Sequence, residues 1–494
     1  MQKKGKLELT WVGKYDEEKP VEPRILIEDK DRSYGDPASE NMLIHGDNLI
    51  ALQALQQEFA GKIKCIYIDP PYNTGSAFEY YDDGIEHSLW LSMMRPRLIL
   101  LRELLADDGF IFVQIDDNEQ AYLKVLMDEV FGRESYVNQI VWKRRGGSAN
   151  PTNRLNNVTD YILLYAKTPG TLINPVFTRD DEKTQEYINK RFNKRTEDGR
   201  RYMLAPIERN EKLGLRENLR YEYKGYTPKW GWMMSKSNLE KMDNEGRLHW
   251  NSKGRPNRRV FEDEYKGQPV GSLWTDIFVI NPMSGERVNF EGQKPEALIK
   301  RILELSTADG DWVLDSFLGS GSTAVTAQKM KRKWIGIEMG EHAYTLCKTR
   351  IDSAIDGEQS GISNAVNWQG GGGYHFYELA PSLLVKNDKL PVYQINPTYT
   401  FEMLCEAICK IEGFKYRPQD VFHGHSSEKR FIHVTTEFVN AEYIRSLSQH
   451  LDEGQSLLIY ATKIQSDMML PDNIEVKKIP KDLLDKCNFE SEVR

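Results

Sequence analysis

Cysteine is scarce in this 494-residue chain, and its five copies, Cys65, Cys347, Cys405, Cys409 and Cys487, form no CxxC pair. That spacing gives no disulfide framework and reads as reduced thiols. No apolar run is long enough for a membrane span. The opening "MQKKGKLELTWVGKYDEEKP" has no apolar core of the signal-peptide kind, so a cytoplasmic protein is expected. Internal repeats are missing, and so is any G-K-[ST] that would make a phosphate-gripping loop.

An excess of positive charge is lacking too, the formal net charge being −8. Charge is nevertheless unevenly spread. Between Asp181 and Val260 there are 20 Lys and Arg against 12 Asp and Glu. A basic segment inside an acidic protein reads either as one face for a polyanion or as the solvated surface of an insertion.

What is present is a rhythm. From Asn41 to Lys167, apolar runs such as "NMLIHGD", "KCIYIDPPY" and "FIFVQID" alternate with helical patterns. One of these, "SLWLSMMRPRLILLRELLADDG", predicts a helix ending at Gly109. The rhythm stops at Pro169, gives way to interleaved charged and aromatic residues until Gly271, and then returns. "QGGGG" at 369–373 marks a domain edge before a small α/β tail. The expected organisation is an N-terminal arm (1–40), two halves of one α/β domain (41–168 and 272–368) split by an insertion (169–271), and an accessory domain (374–494). Strands alternating with helices imply a doubly wound, mostly parallel sheet.

Two motifs carry chemistry. In "VLDSFLGSGSTAVTAQKM", Gly319, Gly321 and Ala324 lie between a strand and a helix and fit G-x-G-x-x-[GA]. Glycines there allow a tight turn, and the helix offers free N–H groups. Seventeen residues on, "WIGIE" ends in Glu338, whose carboxylate suits ribose hydroxyls. Loop and acid together point to a nucleoside-containing cofactor, NAD or S-adenosylmethionine; a loop shaped for packing alone is the plainer reading.

The second motif is "DPPY". Asp69 leaves a strand whose C-terminal end opens on the same sheet edge as the glycine loop, where ligands of open α/β sheets bind. Pro70 and Pro71 stiffen the turn and project Asp69, the Pro70 carbonyl and Tyr72 into one space. A base resting on Tyr72 has an amine with two N–H bonds, and two oxygen acceptors await it. Accepting both hydrogen bonds pulls the nitrogen toward tetrahedral geometry and frees its lone pair to attack a methyl donor.

"DPPY" with "FLGSGS" resembles the beta-group amino-methyltransferases of DNA. "LTWVGK", "EPRILIED", "HGDNLIALQAL" and "KCIYIDPPYNTGSAFEYYDD" resemble more closely the modification subunit of type III restriction systems, from about Leu9 to Ala354. The resemblance implies a Rossmann-like methyltransferase sheet in permuted order, with "NMLIHGD" as third strand of the cofactor half. It implies catalysis by Asp69, Pro70, Pro71 and Tyr72. It also implies S-adenosyl-L-methionine held by Asp47, Lys294, Pro295, Asp315, Phe317, Gly319, Ser320, Gly321 and Glu338, and no metal. Asp rather than Ser at position 69 favours adenine N6 over cytosine N4. Where family members often have a His-Glu pair before their "YILLYA", this chain has Thr159 and Asp160.

The insertion occupies the family's target-recognition place, and a flipped target base is required because a duplex buries adenine N6. Lys143, Arg144, Arg145, Arg154, Arg255, Arg258 and Arg259 are the expected DNA contacts. Expected partners are double-stranded DNA, a second copy of the chain and a separate helicase-nuclease restriction subunit. The competing readings are a cytosine N4 enzyme, an NAD-dependent oxidoreductase, and a DNA-recognition subunit without catalysis. In the tail, Cys405, Cys409, His423 and His425 invite a zinc reading, but two cysteines one turn apart on a helix face fit a core better.

Overall fold

The computed structural model of the chain describes residues 8–15, 20–73, 86–145, 155–179, 181–387, 389–427 and 429–489. Arg154 and the 74–83 half of the "DPPY" segment lie outside them. The described chain divides into two compact units, 175–271 and the remainder.

The larger unit is organised by one ten-stranded sheet. In chain order its strands are β1 (Leu26–Gly35), β2 (Met42–His45), β3 (Ile63–Ile68), β4 (Leu105–Ile115), β5 (Tyr136–Lys143), β6 (Thr159–Ala166), β7 (Leu273–Trp274), β8 (Trp312–Asp315), β9 (Lys333–Glu338) and β10 (Gly373–Leu379). Across the sheet they run β1-β10-β2-β9-β8-β3-β4-β6-β5-β7. All neighbours pair parallel except β1 on β10 and β6 on both of its neighbours. The middle strands are near-continuous apolar runs because helices cover both faces. In β3 every residue but Lys64 is buried.

The expected third strand is in place: β2 pairs with β9 through Ile44 and Ile337. Beyond it the sheet continues where the sequence reading placed domain edges. β10 lies parallel to β2, and β1 pairs antiparallel with β10. Residues 374–379 therefore belong to the sheet, and so does part of the 1–40 arm.

Helix α1 (Asn48–Phe59) starts at Asp47, whose carboxylate accepts the N–H groups of Leu49 and Ile50. Helix α2 (His87–Leu104) stops five residues short of Gly109, because Leu105 turns extended and begins β4. Gly109 serves a different purpose there. The β3–β4 register jumps from Ile63↔Leu105 to Cys65↔Phe110, and a Cβ at Gly109 would stand 2.8 Å from the Ile63 carbonyl oxygen. The glycine permits that close strand approach. Helices α1, α2 and α3 (Gln120–Phe131) bury Leu52, Leu98, Leu101 and Leu126 against the sheet in one core. Further along, α4 (Glu296–Ser306) precedes β8, α5 (Ser322–Lys329) follows it, and α6 (Lys348–Ile355) comes after β9.

The centre of the sheet positions the site. β8 and β3 are parallel neighbours, Val313 facing Cys65 and Leu314 facing Ile66. From β8 the chain moves through α5 to β9; from β3 it moves through α2 to β4 in the other direction. The crevice between those departures lies beyond the C-terminal ends of both strands, where an open α/β sheet takes its ligand.

After β10 a five-stranded sheet forms from 415–419, 422–427, 430–439, 456–464 and 474–478. Cys405 and Cys409 are fully buried in its core beside Ile408, Ile432 and Leu458. They pack as apolar side chains.

The unit 175–271 has a four-stranded antiparallel sheet (248–250, 256–261, 201–206, 194–195) and the helices Glu182–Arg191 and Lys236–Asn244. Its aromatic run is a core. Trp232 is fully buried, with Tyr221 stacked at 5.8 Å and Tyr223 and Tyr226 edge-on. These rings fill the interior of the unit beside Ile207, Leu239 and Leu248.

Candidate active site

β3 delivers Asp69 at its C-terminal end, and the two prolines that follow are tied from below. The Trp90 indole N–H of α2 donates to the Pro71 carbonyl at 2.8 Å. Asn73 takes a left-handed backbone, φ 59°, and its amide donates to Glu119 at 2.6 Å. Among the described residues no hydrogen bond engages the Pro70 carbonyl. The Asp69 carboxylate is divided between two states: Oδ2 pairs with the Lys294 ammonium, while Oδ1 is buried with no hydrogen-bond partner. A buried acceptor left open is expensive, about 1–3 kcal/mol, and marks a place where a donor is awaited.

Tyr72 lies beside this carboxylate, with the Lys294 ammonium 5.4 Å from its ring centre. Its hydroxyl donates to Asp160 Oδ2 at 3.2 Å and accepts from the Gln114 amide at 3.0 Å. Burial, followed by the Asp69 and Asp160 charges, pushes the phenol well above its ordinary value, so it stays a neutral donor.

β8 delivers Asp315 to the adjoining position. Its carboxylate accepts the Phe317 N–H at 2.9 Å and the Thr323 hydroxyl at 2.6 Å. Burial is the main influence on it and raises the carboxyl to about 7 against the pull of those two bonds. The turn that follows needs its glycines: Gly319 has φ 55° and Gly321, at the head of α5, φ 81°. Arg350 holds the turn from behind, its Nη1 donating to the Ser322 hydroxyl at 2.8 Å and to the Ser320 carbonyl at 3.3 Å. Ser322 in turn donates to the Lys294 carbonyl at 2.7 Å, and Pro295 caps α4. Thus the "QKPE" segment is fastened to the glycine turn while its lysine reaches the elbow.

Both motifs open into one cavity of about 830 Å³. Asp69, Pro70, Pro71 and Tyr72 line it together with Asp315, Phe317, Gly319, Ser320, Lys294, Arg144 and Arg145. Other expected residues stand apart from its wall. Asp47 is engaged as a helix cap and pairs with Arg97 at 3.1 Å. Glu338 is buried, accepting the N–H groups of Gly319 at 2.7 Å and Gly340 at 2.9 Å. It supports the glycine turn, and Phe290 packs against Gly319 on the cavity side. Pro295, Gly321 and Lys143 are also outside the lining. Arg255 and Arg258 are exposed in the smaller unit. Arg259 faces the other way along the same strand, over the Tyr202 ring at 5.3 Å and bonded to the Gly246 carbonyl.

Asp160, Gln114 and Tyr67 join the site without belonging to either chemistry-bearing motif of the sequence. Only the Thr159-Asp160 departure from the family pattern pointed there.

The DNA methylase model of N6/N4 methyltransferases matches residues 63–349, more than half of the chain, from β3 through the start of α6. The chain belongs to the N6/N4 DNA methylase family. Among curated relatives, the methylase is 35% identical over 455 residues to the HindVI type III restriction-modification Mod subunit of Haemophilus influenzae, covering 78% of this chain and 60% of that one. It therefore spans less than two thirds of that relative's length. It is also 35% identical over 354 residues to the type II methyltransferase M.EcaI of Enterobacter cloacae, covering 68% of this chain and 75% of the relative. A DNA modification methylase of Thermus thermophilus, solved with S-adenosyl-L-methionine, overlaps 69% of this chain and 99% of its own at 14% identity and TM-score 0.37. That overlap is too loose to add to the fold described above.

For chemistry the methylase offers an open acid oxygen and an open carbonyl on a rigid turn, an aromatic ring beside them, and a glycine turn across the same cavity. No His, Cys, Asp and Glu group among the described residues has the arrangement of a metal site. In the same residues no helix is long and apolar enough to cross a membrane.

Proposed function

We propose that the methylase moves a methyl group from S-adenosyl-L-methionine to N6 of an adenine flipped out of duplex DNA, as the modification and recognition subunit of a restriction system. The observation that carries this reading is the pairing at the elbow: Asp69, whose Oδ1 is buried without a hydrogen-bond partner, and Pro70, whose carbonyl takes no hydrogen bond among the described residues, line the cavity that the glycine turn also lines.

The residues fit the cofactor. Gly319 and Ser320 of the glycine turn line the cavity together with Asp315 and Phe317. S-adenosyl-L-methionine is the cofactor, and when bound it supplies an electrophilic methyl on a sulfonium. The chain supplies the rest. Asp69 Oδ1 and the Pro70 carbonyl accept the two N–H bonds of the target amine, and Tyr72 offers its ring to the base, a contact worth about 1–3 kcal/mol. As the nitrogen attacks, positive charge grows on it. The Asp69 carboxylate stands against that charge, its other oxygen fixed by Lys294. Acceptors already held in place need no reorganisation during the reaction.

Asp at position 69 supports adenine as the target. The Mod-subunit relative supports a restriction-modification setting, with a separate restriction subunit and a second copy of the chain as partners. The unit 175–271, with its surplus of Lys and Arg, is the target-recognition module. Incubating the protein with unmethylated genomic DNA and tritiated cofactor, then separating the nucleosides, tests the assignment. Label in N6-methyladenine is expected; label in 4-methylcytosine would reverse the choice of base, and unlabelled DNA would end the reading.

A further inference from the structure

Beneath the Tyr72 ring lies a buried polar network that the reaction outlined above does not use. Tyr67, at the end of β3, donates to the Gln114 amide oxygen at 2.7 Å. Gln114, on β4, donates to both the Tyr72 hydroxyl at 3.0 Å and Asp160 Oδ2 at 3.1 Å. Asp160, on β6, is 1% exposed and takes the Tyr72 hydroxyl on that same oxygen. Its other oxygen, Oδ1, lies 3.3 Å from Arg144 Nε. The two do not form a hydrogen bond, and both atoms are buried without a hydrogen-bond partner. Asp160 and Arg144 both line the cavity.

A stacking surface alone would not require this. Phenylalanine gives the same ring, and burying a carboxylate costs several kcal/mol before its partners repay it. Residues of two neighbouring strands, Gln114 and Asp160, nevertheless bond the hydroxyl of one ring, and Tyr67 of a third holds Gln114. The Asp160 carboxylate then reaches a cation whose side chain is partly exposed and lines the cavity.

Resting on the methyl-transfer reading, we propose that Asp160 is the positioning residue of this site: one oxygen sets the tilt of Tyr72, and the other holds Arg144 at the cavity wall for contact with the flipped base. The Arg144 side chain is partly exposed, and its guanidinium N–H groups suit an acceptor, such as a ring nitrogen of adenine or cytosine. Asp69 and Pro70 meanwhile take the amine. Guanine and thymine present a ring N–H there and gain no such match.

Two variant pairs test the two arms. Methyl transfer to unmethylated genomic DNA is measured for kcat and for KM toward DNA and cofactor separately. For the ring arm, Tyr72→Phe and Asp160→Ala are each expected to lower kcat/KM for DNA, by up to about 100-fold for a misplaced reacting group. The double variant should fall no further than the worse single one, with KM for the cofactor unchanged. For the cation arm, Asp160→Asn retains an oxygen for Tyr72 and Gln114 but turns an N–H toward Arg144. Arg144→Met should then raise KM for DNA in the wild-type background and add nothing in the Asn background. This second pair decides the matter if Asp160→Ala does not fold. Independent, multiplying losses in both pairs, or a matching rise in KM for the cofactor, would reduce Asp160 to a packing role and overturn the proposal. Wild-type protein that labels no DNA would overturn the methyl-transfer reading, and the proposal with it.

Discussion

Asp315 shows how a single buried carboxylate couples the cofactor turn to pH. Its carboxyl is raised from the ordinary 3.8 to about 7, chiefly by burial. The folded protein therefore binds this proton more tightly than the unfolded chain does. The stability it contributes is complete below pH 3.8 and is lost as pH rises through about 7. Asp315→Asn removes the titration while leaving an oxygen and an N–H of similar shape. Melting temperatures of the two proteins should lie close below pH 3.8, diverge from there to about pH 7 and stay apart above it, the variant gaining about 1.4 kcal/mol for each unit of the window. Parallel curves would show that Asp315 does not titrate there. At this scale the sequence was readable where chemistry sits in a contiguous motif, as with Asp69 and Tyr72. Asp160 and Gln114 were not, because their partners come from three strands that only meet in the sheet. Asp47 and Glu338 carry acids at the expected places, but backbone N–H groups nearby claim their oxygens.

Among the elements, β9 and the glycine turn depend on a missing side chain. A Cβ at Gly336 would stand 2.6 Å from Leu318 Cδ2, and Leu318 belongs to the turn and lines the cavity. Gly336→Ala should cost about 1–3 kcal/mol, as overpacked cores do. It should also weaken cofactor binding, because the turn must shift. Thermal melting and cofactor titration report the two effects, and a variant normal in both would show that Leu318 simply moves aside. The strand 256–261 separates two arginines by its period of two. Arg258→Ala should reduce the salt dependence of DNA binding by about one ion. Arg259→Ala should instead lower thermal stability, since its guanidinium packs on Tyr202 and bonds the Gly246 carbonyl. Equal salt slopes for both would contradict the split. Helix periodicity located α2 from its leucines, but its end was hidden: Gly109 reads as a helix stop in sequence and acts as a strand contact in three dimensions.

For the whole molecule, the permuted order was legible because the cofactor half lacks a third strand after Glu338 and "NMLIHGD" has none of its own to pair with. The outer strands were not, since β1 and β10 are far apart in the chain and partly polar. The 175–271 unit begins and ends at one point: the Val270 N–H donates to the Val176 carbonyl at 2.9 Å. Replacing the unit with a short glycine-serine link is therefore expected to leave cofactor binding intact and abolish site-selective DNA binding. Loss of both would show that the larger unit does not fold without it.

The central claim concerns one oxygen. Rapid-mixing transfer from tritiated cofactor to DNA, run for the wild type and Asp69→Ala beside a cofactor titration of each, measures it most directly. Cofactor affinity should persist while the transfer rate falls by about 100- to 1,000-fold, as when one preorganised partner of a transition state is removed. A variant that transfers at the wild-type rate would contradict the account.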